Sequence, residues 1–94
     1  MPALLIRHRV TDYAAWKRVF DEQRSTLRSN GYQRGQVFRN VDDPGELLIP
    51  LDWDDLRRTR VYSQSDELQE SMKRSGITDD PDLWILEQTR GGAR

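Results

Sequence analysis

The strongest constraint on this chain is the way its hydrophobic period changes along its length. Over residues 3–10 (ALLIRHRV) apolar and polar side chains alternate past Leu5, so Ile6, His8 and Val10 point one way and Arg7 and Arg9 the other. A period of two marks a strand with one face toward a core. The period then lengthens. Tyr13, Trp16, Val19, Phe20 and Leu27 recur at helical spacing with charges between them, and Thr11-Asp12 stands in front as an N-cap. Asn30-Gly31 supplies a left-handed stop, so the spacing predicts a helix over residues 12–29.

The pattern then repeats with an extra strand. Residues 32–41 (YQRGQVFRNV) and 46–53 (ELLIPLDW) read as strands joined by a turn at Asp42-Asp43-Pro44-Gly45, where Pro fixes φ and Gly tolerates positive φ. Asp54 or Asp55 caps a helix over 55–63. Ser65 caps its continuation through Leu68 and Met72, with Asp66 and Glu67 in the favourable first turn. Gly76 ends that helix, Asp79-Asp80-Pro81 breaks the chain, and 83–89 (LWILEQT) reads as the last strand. The order β-α-β-β-α-β is the split βαβ, ferredoxin-like pattern. It predicts an α+β domain over residues 1–90, with a four-stranded antiparallel sheet and both helices on one face. The tail 91–94 has no apolar residue larger than alanine and is expected to fray.

A sheet covered on one side only leaves an apolar face to be buried, and a second copy of the same sheet is the simplest cover. The composition fits. The chain has 94 residues, of which 35% are hydrophobic and 33% charged. A monomer of that size buries only roughly 60–65% of its unfolded surface. A homodimeric α/β barrel is therefore expected. Pro50 sits awkwardly in this scheme. It falls in a central strand, where a missing N–H predicts a bulge or an interrupted ladder.

Composition also excludes function classes. Lys and Arg total 15 against 16 Asp and Glu, a net charge of −1, and no basic excess marks a nucleic-acid surface. There is no cysteine, so disulfides, thiolate metal sites and a Cys nucleophile are out, and one histidine is too few for an ordinary zinc site. No cofactor and no metal are expected. The longest apolar run near the start, Ala3–Ile6, is too short for a signal segment or a membrane span, which predicts a cytoplasmic protein with no membrane partner.

Several stretches together carry a family resemblance. They are Ile6-Arg7-His8-Arg9-Val10, Asp12-Tyr13-x-x-Trp16-x-x-x-Phe20, Phe38-Arg39-x-x-Asp42-Asp43-Pro44, Leu51-Asp52-Trp53-Asp54-Asp55-Leu56, Ser65-x-Glu67-Leu68 and Lys73-Arg74-x-Gly76-Ile77. From about residue 4 to 89 the chain resembles the dimeric α/β-barrel superfamily, close to the antibiotic-biosynthesis-monooxygenase-like proteins. The resemblance implies two sheets pressed into a barrel. It also implies a small-molecule site within that barrel or between each sheet and its own helices. Its members include cofactor-free quinone-forming monooxygenases, haem-degrading monooxygenases, polyketide cyclases and small proteins of no known activity. It implies that Trp53, at the end of the third strand, lines the cavity, and that a polar cavity residue stands near His8. Some enzyme members carry a histidine in the second helix. Here the nearest residue is Tyr62, so chemistry through that histidine is absent.

His8 is the one side chain whose ordinary pKa lies near neutrality, and it shares a strand face with apolar neighbours. It reads as a general base or a hydrogen-bonding partner of a ligand, or as a packed core histidine. Trp53 reads as a stacking wall for a planar ligand or as a large core residue. Tyr62, Ile49 and Phe38 complete the ligand-binding set. Arg7 and Arg9 are expected to pair with carboxylates of the sheet such as Asp52, and Arg57-Arg58-x-Arg60 to form a solvated helix face. The expectation is a homodimeric barrel protein that binds a small aromatic ligand, with no catalytic role the sequence establishes. The alternative is a cofactor-independent monooxygenase-like or cyclase-like enzyme.

Overall fold

The computed structural model describes residues 2–89. Its elements run β1 (Pro2–Arg9), α1 (Tyr13–Glu22), α2 (Arg24–Ser29), β2 (Tyr32–Gly35), β3 (Phe38–Asn40), β4 (Asp43–Trp53), α3 (Leu56–Ser63), α4 (Asp66–Arg74) and β5 (Asp82–Glu87). The sheet is antiparallel throughout, in the order β2-β4-β1-β5, with β3 continuing β2 along the same edge of β4. This is the expected ferredoxin-like α+β fold, with its outermost rank in two pieces. The expected tail 91–94 lies outside the described residues.

Pro50 explains the divided rank. The Gln36 N–H donates to the Pro50 carbonyl at 3.1 Å. In an antiparallel pair the return bond would come from residue 50, and proline has no N–H to give. The ladder therefore lapses between Gly35, opposite Leu51, and Phe38, opposite Leu48. On its other side β4 pairs with β1 without a break, Leu5 lying across from Pro50. The irregularity at Pro50 is thus a one-sided gap, and a register shift falls between Tyr32 and Arg34 instead.

Three local expectations shift. The single helix over 12–29 is divided at Gln23, which caps the end of α1 and the start of α2 while keeping a right-handed conformation. The hairpin turn falls at Val41-Asp42. Asn40 pairs with Asp43, and Pro44-Gly45 belong to the strand, with no positive φ at Gly45. Val10 makes an isolated bridge to Ile77 beyond the end of β1.

The caps are where the side-chain chemistry puts them. Asp12 accepts from the Ala15 N–H, Asp55 from Arg57 and Ser65 from Leu68. Gly31 has φ of 114°, and a Cβ there would lie 2.5 Å from Asp54 Oδ1, so the turn requires glycine.

Alternation sorts the central strands cleanly. Leu4, Ile6 and His8 of β1, with Leu47, Ile49, Leu51 and Trp53 of β4, are buried beneath the helices. Each such aliphatic side chain contributes about 1.5–3 kcal/mol on burial. The other face carries Leu5, Leu48, Pro50, Phe38, Trp84 and Leu86, with Trp84 45% and Leu86 44% exposed. No helix among the described residues is long and apolar enough to cross a membrane.

Candidate functional site

The buried sheet face does not meet the helices everywhere. A cavity of about 40 Å³ remains between them. Its floor is Ile6, His8, Ile49 and Leu51, and its walls come from Trp16 and Phe20 of α1, Gln23 at the α1–α2 joint, Leu27 of α2, Tyr62 of α3, and Leu68, Ser71 and Met72 of α4 with its C-cap Ser75. That volume holds a few waters and is well below the 300–1,000 Å³ of a drug-sized ligand site. Gln23 and Ser71 also border an outer groove between the α1–α2 joint and α4. The Arg74–Glu22 ion pair, 3.2 Å long, joins α4 to α1 beside that groove.

His8 is the chemically distinctive member. It is 3% exposed, and neither Nδ1 nor Nε2 has a hydrogen-bond partner. Packing holds the ring, since it meets the Trp16 indole edge to face. Burial, with the Arg7 charge adding, lowers the imidazole to about 4 against an opposing pull from Asp79. The ring is therefore neutral at pH 7 and offers one N–H donor and one acceptor. Buried polar atoms are nearly always paired, so two orphaned nitrogens on a cavity wall call for an occupant.

Trp53 stands elsewhere. It is fully buried, its ring centroid 5.0 Å from that of Tyr62 and 6.4 Å from that of Tyr32. His8 pairs with Leu47, six residues from Trp53 along β4, which is roughly 20 Å of strand. The two residues anchor opposite ends of the core, and Trp53 backs Tyr62 without itself lining the cavity. The Trp53 Nε1–H is also unpartnered. Burial pushes the Tyr62 phenol up to about 12; Glu67 adds to the rise and the Ser71 hydroxyl opposes it. Phe38 lies on the opposite sheet face, across from Leu48, and cannot share this cavity. The structure thus brings His8, Ile49 and Tyr62 together, places Trp53 behind them and removes Phe38. The miss on Phe38 has a parity cause: the register puts Val37, not Phe38, on the helix side.

Sequence reasoning passed over the α4 wall. Leu68, Ser71, Met72 and Ser75 follow at i, i+3, i+4 and i+7, one face of a helix. Two small hydroxyl residues, Ser71 and Ser75, interrupt that apolar stripe and line the space. Trp16 and Phe20, stacked with centroids 5.1 Å apart, are core residues and cavity walls at once.

The arginines of β1 point away from this site. Arg7 pairs with Glu46 at 2.7 Å and Asp79 at 3.0 Å, and Arg9 pairs with Asp43. Asp52 is taken instead by Arg34. Asp79 also accepts from the Arg9 backbone N–H, tying the α4–β5 connection to the end of β1. Arg58 bonds Asp54 and the Ser29 carbonyl, a structural use of the basic run. Among the described residues no three His, Cys, Asp or Glu side chains group to hold a metal ion.

Solved structures share this architecture. A provisionally named antibiotic biosynthesis monooxygenase from Bordetella bronchiseptica matches with a TM-score of 0.77 at 17% identity, over 95% of this chain and 97% of its own. A similarly named protein from Caulobacter crescentus gives 0.74 at 13% identity, over 95% and 90%. SnoaB, a cofactor-independent oxygenase from Streptomyces nogalater, gives 0.70 at 17% identity, over 96% of both chains. The fold is therefore that of the antibiotic-biosynthesis-monooxygenase-like proteins, as the sequence resemblance implied. No family profile and no curated protein sequence matches the chain.

Proposed function

We propose that this chain binds a small, largely apolar ring compound between its sheet and its helices. The observation that carries this reading is His8, neutral and buried on the cavity wall with both nitrogens unpartnered. A ligand larger than the present space requires side chains to yield, and the flexible Met72 is suited to that. The test is titration with naphthalene, followed by Trp16 fluorescence and the His8 ring resonances. Saturable shifts at His8, lost in Leu68→Trp, support the reading. Unchanged His8 resonances up to the solubility limit defeat it.

Oxygenation without a cofactor, the activity in the name of the Streptomyces nogalater neighbour, is the second reading. In it a ring methylene and O₂ yield a carbonyl and water, with His8 receiving the first proton. A histidine held near 4 is a weak base, however, which favours hydrogen bonding over proton abstraction. Oxygen uptake with an anthrone, compared between wild type and His8→Ala, separates the two.

The same reading includes a homodimer. Leu5, Leu48, Pro50, Phe38, Trp84 and Leu86 form an apolar surface that the helices do not reach. A second copy of the sheet supports its burial in the way a barrel requires.

A further inference from the structure

We propose that Met72 is a swinging gate, and that a ligand enters the cavity past it, between α4 and the α4–β5 connection. This rests on the small-molecule reading of the cavity and concerns how the molecule gets in.

Met72 lines two spaces at once. It is a wall of the buried cavity, and it also lines an outer pocket of about 180 Å³ with Gln69, Lys73, Ile77, Asp79 and Pro81. Of the described residues it alone borders both. Met72 is 8% exposed, so in its present position it closes the way between them. Its side chain is unbranched, with three rotatable bonds, and turns aside where a β-branched one is held.

The frame around it is fixed. The Thr78 N–H donates to the Arg9 carbonyl at 2.9 Å, and the Arg9 N–H donates to Asp79 Oδ1 at 2.9 Å. The connection is thereby strapped to the end of β1. Among the described residues no ion pair crosses from Lys73 to the connection, whereas on the opposite flank of α4 Arg74 pairs with Glu22. Opening on the Met72 side therefore asks for the rotation of one side chain.

The competing route is the outer groove on that opposite flank, which shares Gln23 and Ser71 with the cavity. Asp66, Glu67, Glu70 and Arg74 line it, and an apolar ring gains nothing by displacing the water those charges hold. Met72, Ile77 and Pro81 offer such a ring an apolar approach.

The experiment follows naphthalene by stopped-flow fluorescence and by equilibrium titration. Gln69 does not line the cavity, so Gln69→Phe fills only the outer pocket. It should slow association and dissociation alike by about ten-fold, within the range over which association rates vary among variants of one site. The dissociation constant should not change, since a group met only on the way in favours neither end state. Met72→Ile, similar in size but held to one χ1 rotamer in a helix, should slow association too. Glu70→Phe, which narrows the acidic groove, should leave both rates as they are. Slowing by Glu70→Phe as great as that by Gln69→Phe, or slowing by neither, overturns the route while naphthalene still binds. Slowing by Gln69→Phe without slowing by Met72→Ile overturns the gate. A wild-type protein that does not bind naphthalene overturns the cavity reading, and the gate with it.

Discussion

The imidazole of His8 meets the indole of Trp16 edge to face, with ring centroids 5.9 Å apart and planes inclined at 73°. An aromatic wall in place of a hydrogen-bond acceptor gives the protonated ring nothing to bond. His8 is lowered to about 4 from 6.5. The unfolded chain then binds a proton that the folded chain refuses between those values. Stability is complete above the unfolded pKa, declines as pH falls below about 6.5 and levels off near 4. The full loss is on the order of 3 kcal/mol. Denaturant unfolding as a function of pH measures it, and His8→Phe should remove the slope in that window. A slope unchanged in the variant would assign it to other groups.

A second acid limb belongs to the ion pairs at the end of β1. The Arg9 hydrogen bond holds Asp43 below the usual carboxylate range, and hydrogen bonds from Asn40 and then Arg7 do the same for Glu46. Carboxylates depressed by folding contribute stability above their unfolded pKa and lose it as pH falls through the folded one. Asp43→Asn should flatten the limb below pH 4, outside the His8 window. Salt should weaken the contribution, since these pairs are partly exposed. Unfolding at low and high ionic strength checks both.

Trp53 tests stability apart from ligand contact. Fully buried against Tyr62 and Tyr32, it should cost about 3–5 kcal/mol when truncated to alanine. Trp53→Phe keeps a ring and removes an unpartnered N–H, so its cost should stay under about 2 kcal/mol. Naphthalene affinity should change little in Trp53→Phe, because the residue stands behind the cavity wall. A ten-fold loss would place it in contact with ligand.

The exposed sheet face makes a prediction about mass. Sedimentation at micromolar concentration should give twice the 11.1 kDa of the chain. Trp84→Glu should shift it to monomer, since a carboxylate buried in an apolar interface loses its hydration. A wild-type monomer would refute the homodimer.

Much of the fold was legible because the chain states its periods plainly. His8 between Ile6 and Val10 fixed the inward face of β1, and Asp12, Asp55 and Ser65 cap helices as their side chains predict. The site was less legible. Which residues share a cavity depends on register between strands and on the helix rows above them, and neither is a local property. The separation of His8 from Trp53 follows from pairing His8 with Leu47, and Phe38 turns outward by one step of strand parity. Ser71 and Ser75 were hidden for another reason: small hydroxyl residues on a helix read as neutral filler until an empty volume appears beside them.

The proline of β4 also has a bearing on solubility. The outer rank of this sheet is an edge, and an intact edge is a template on which foreign strands extend. Here the outer segments are four and three residues long, separated where Pro50 withholds its bond. An incoming strand finds no straight run to copy, so a residue in an interior strand guards the border against runaway sheet growth.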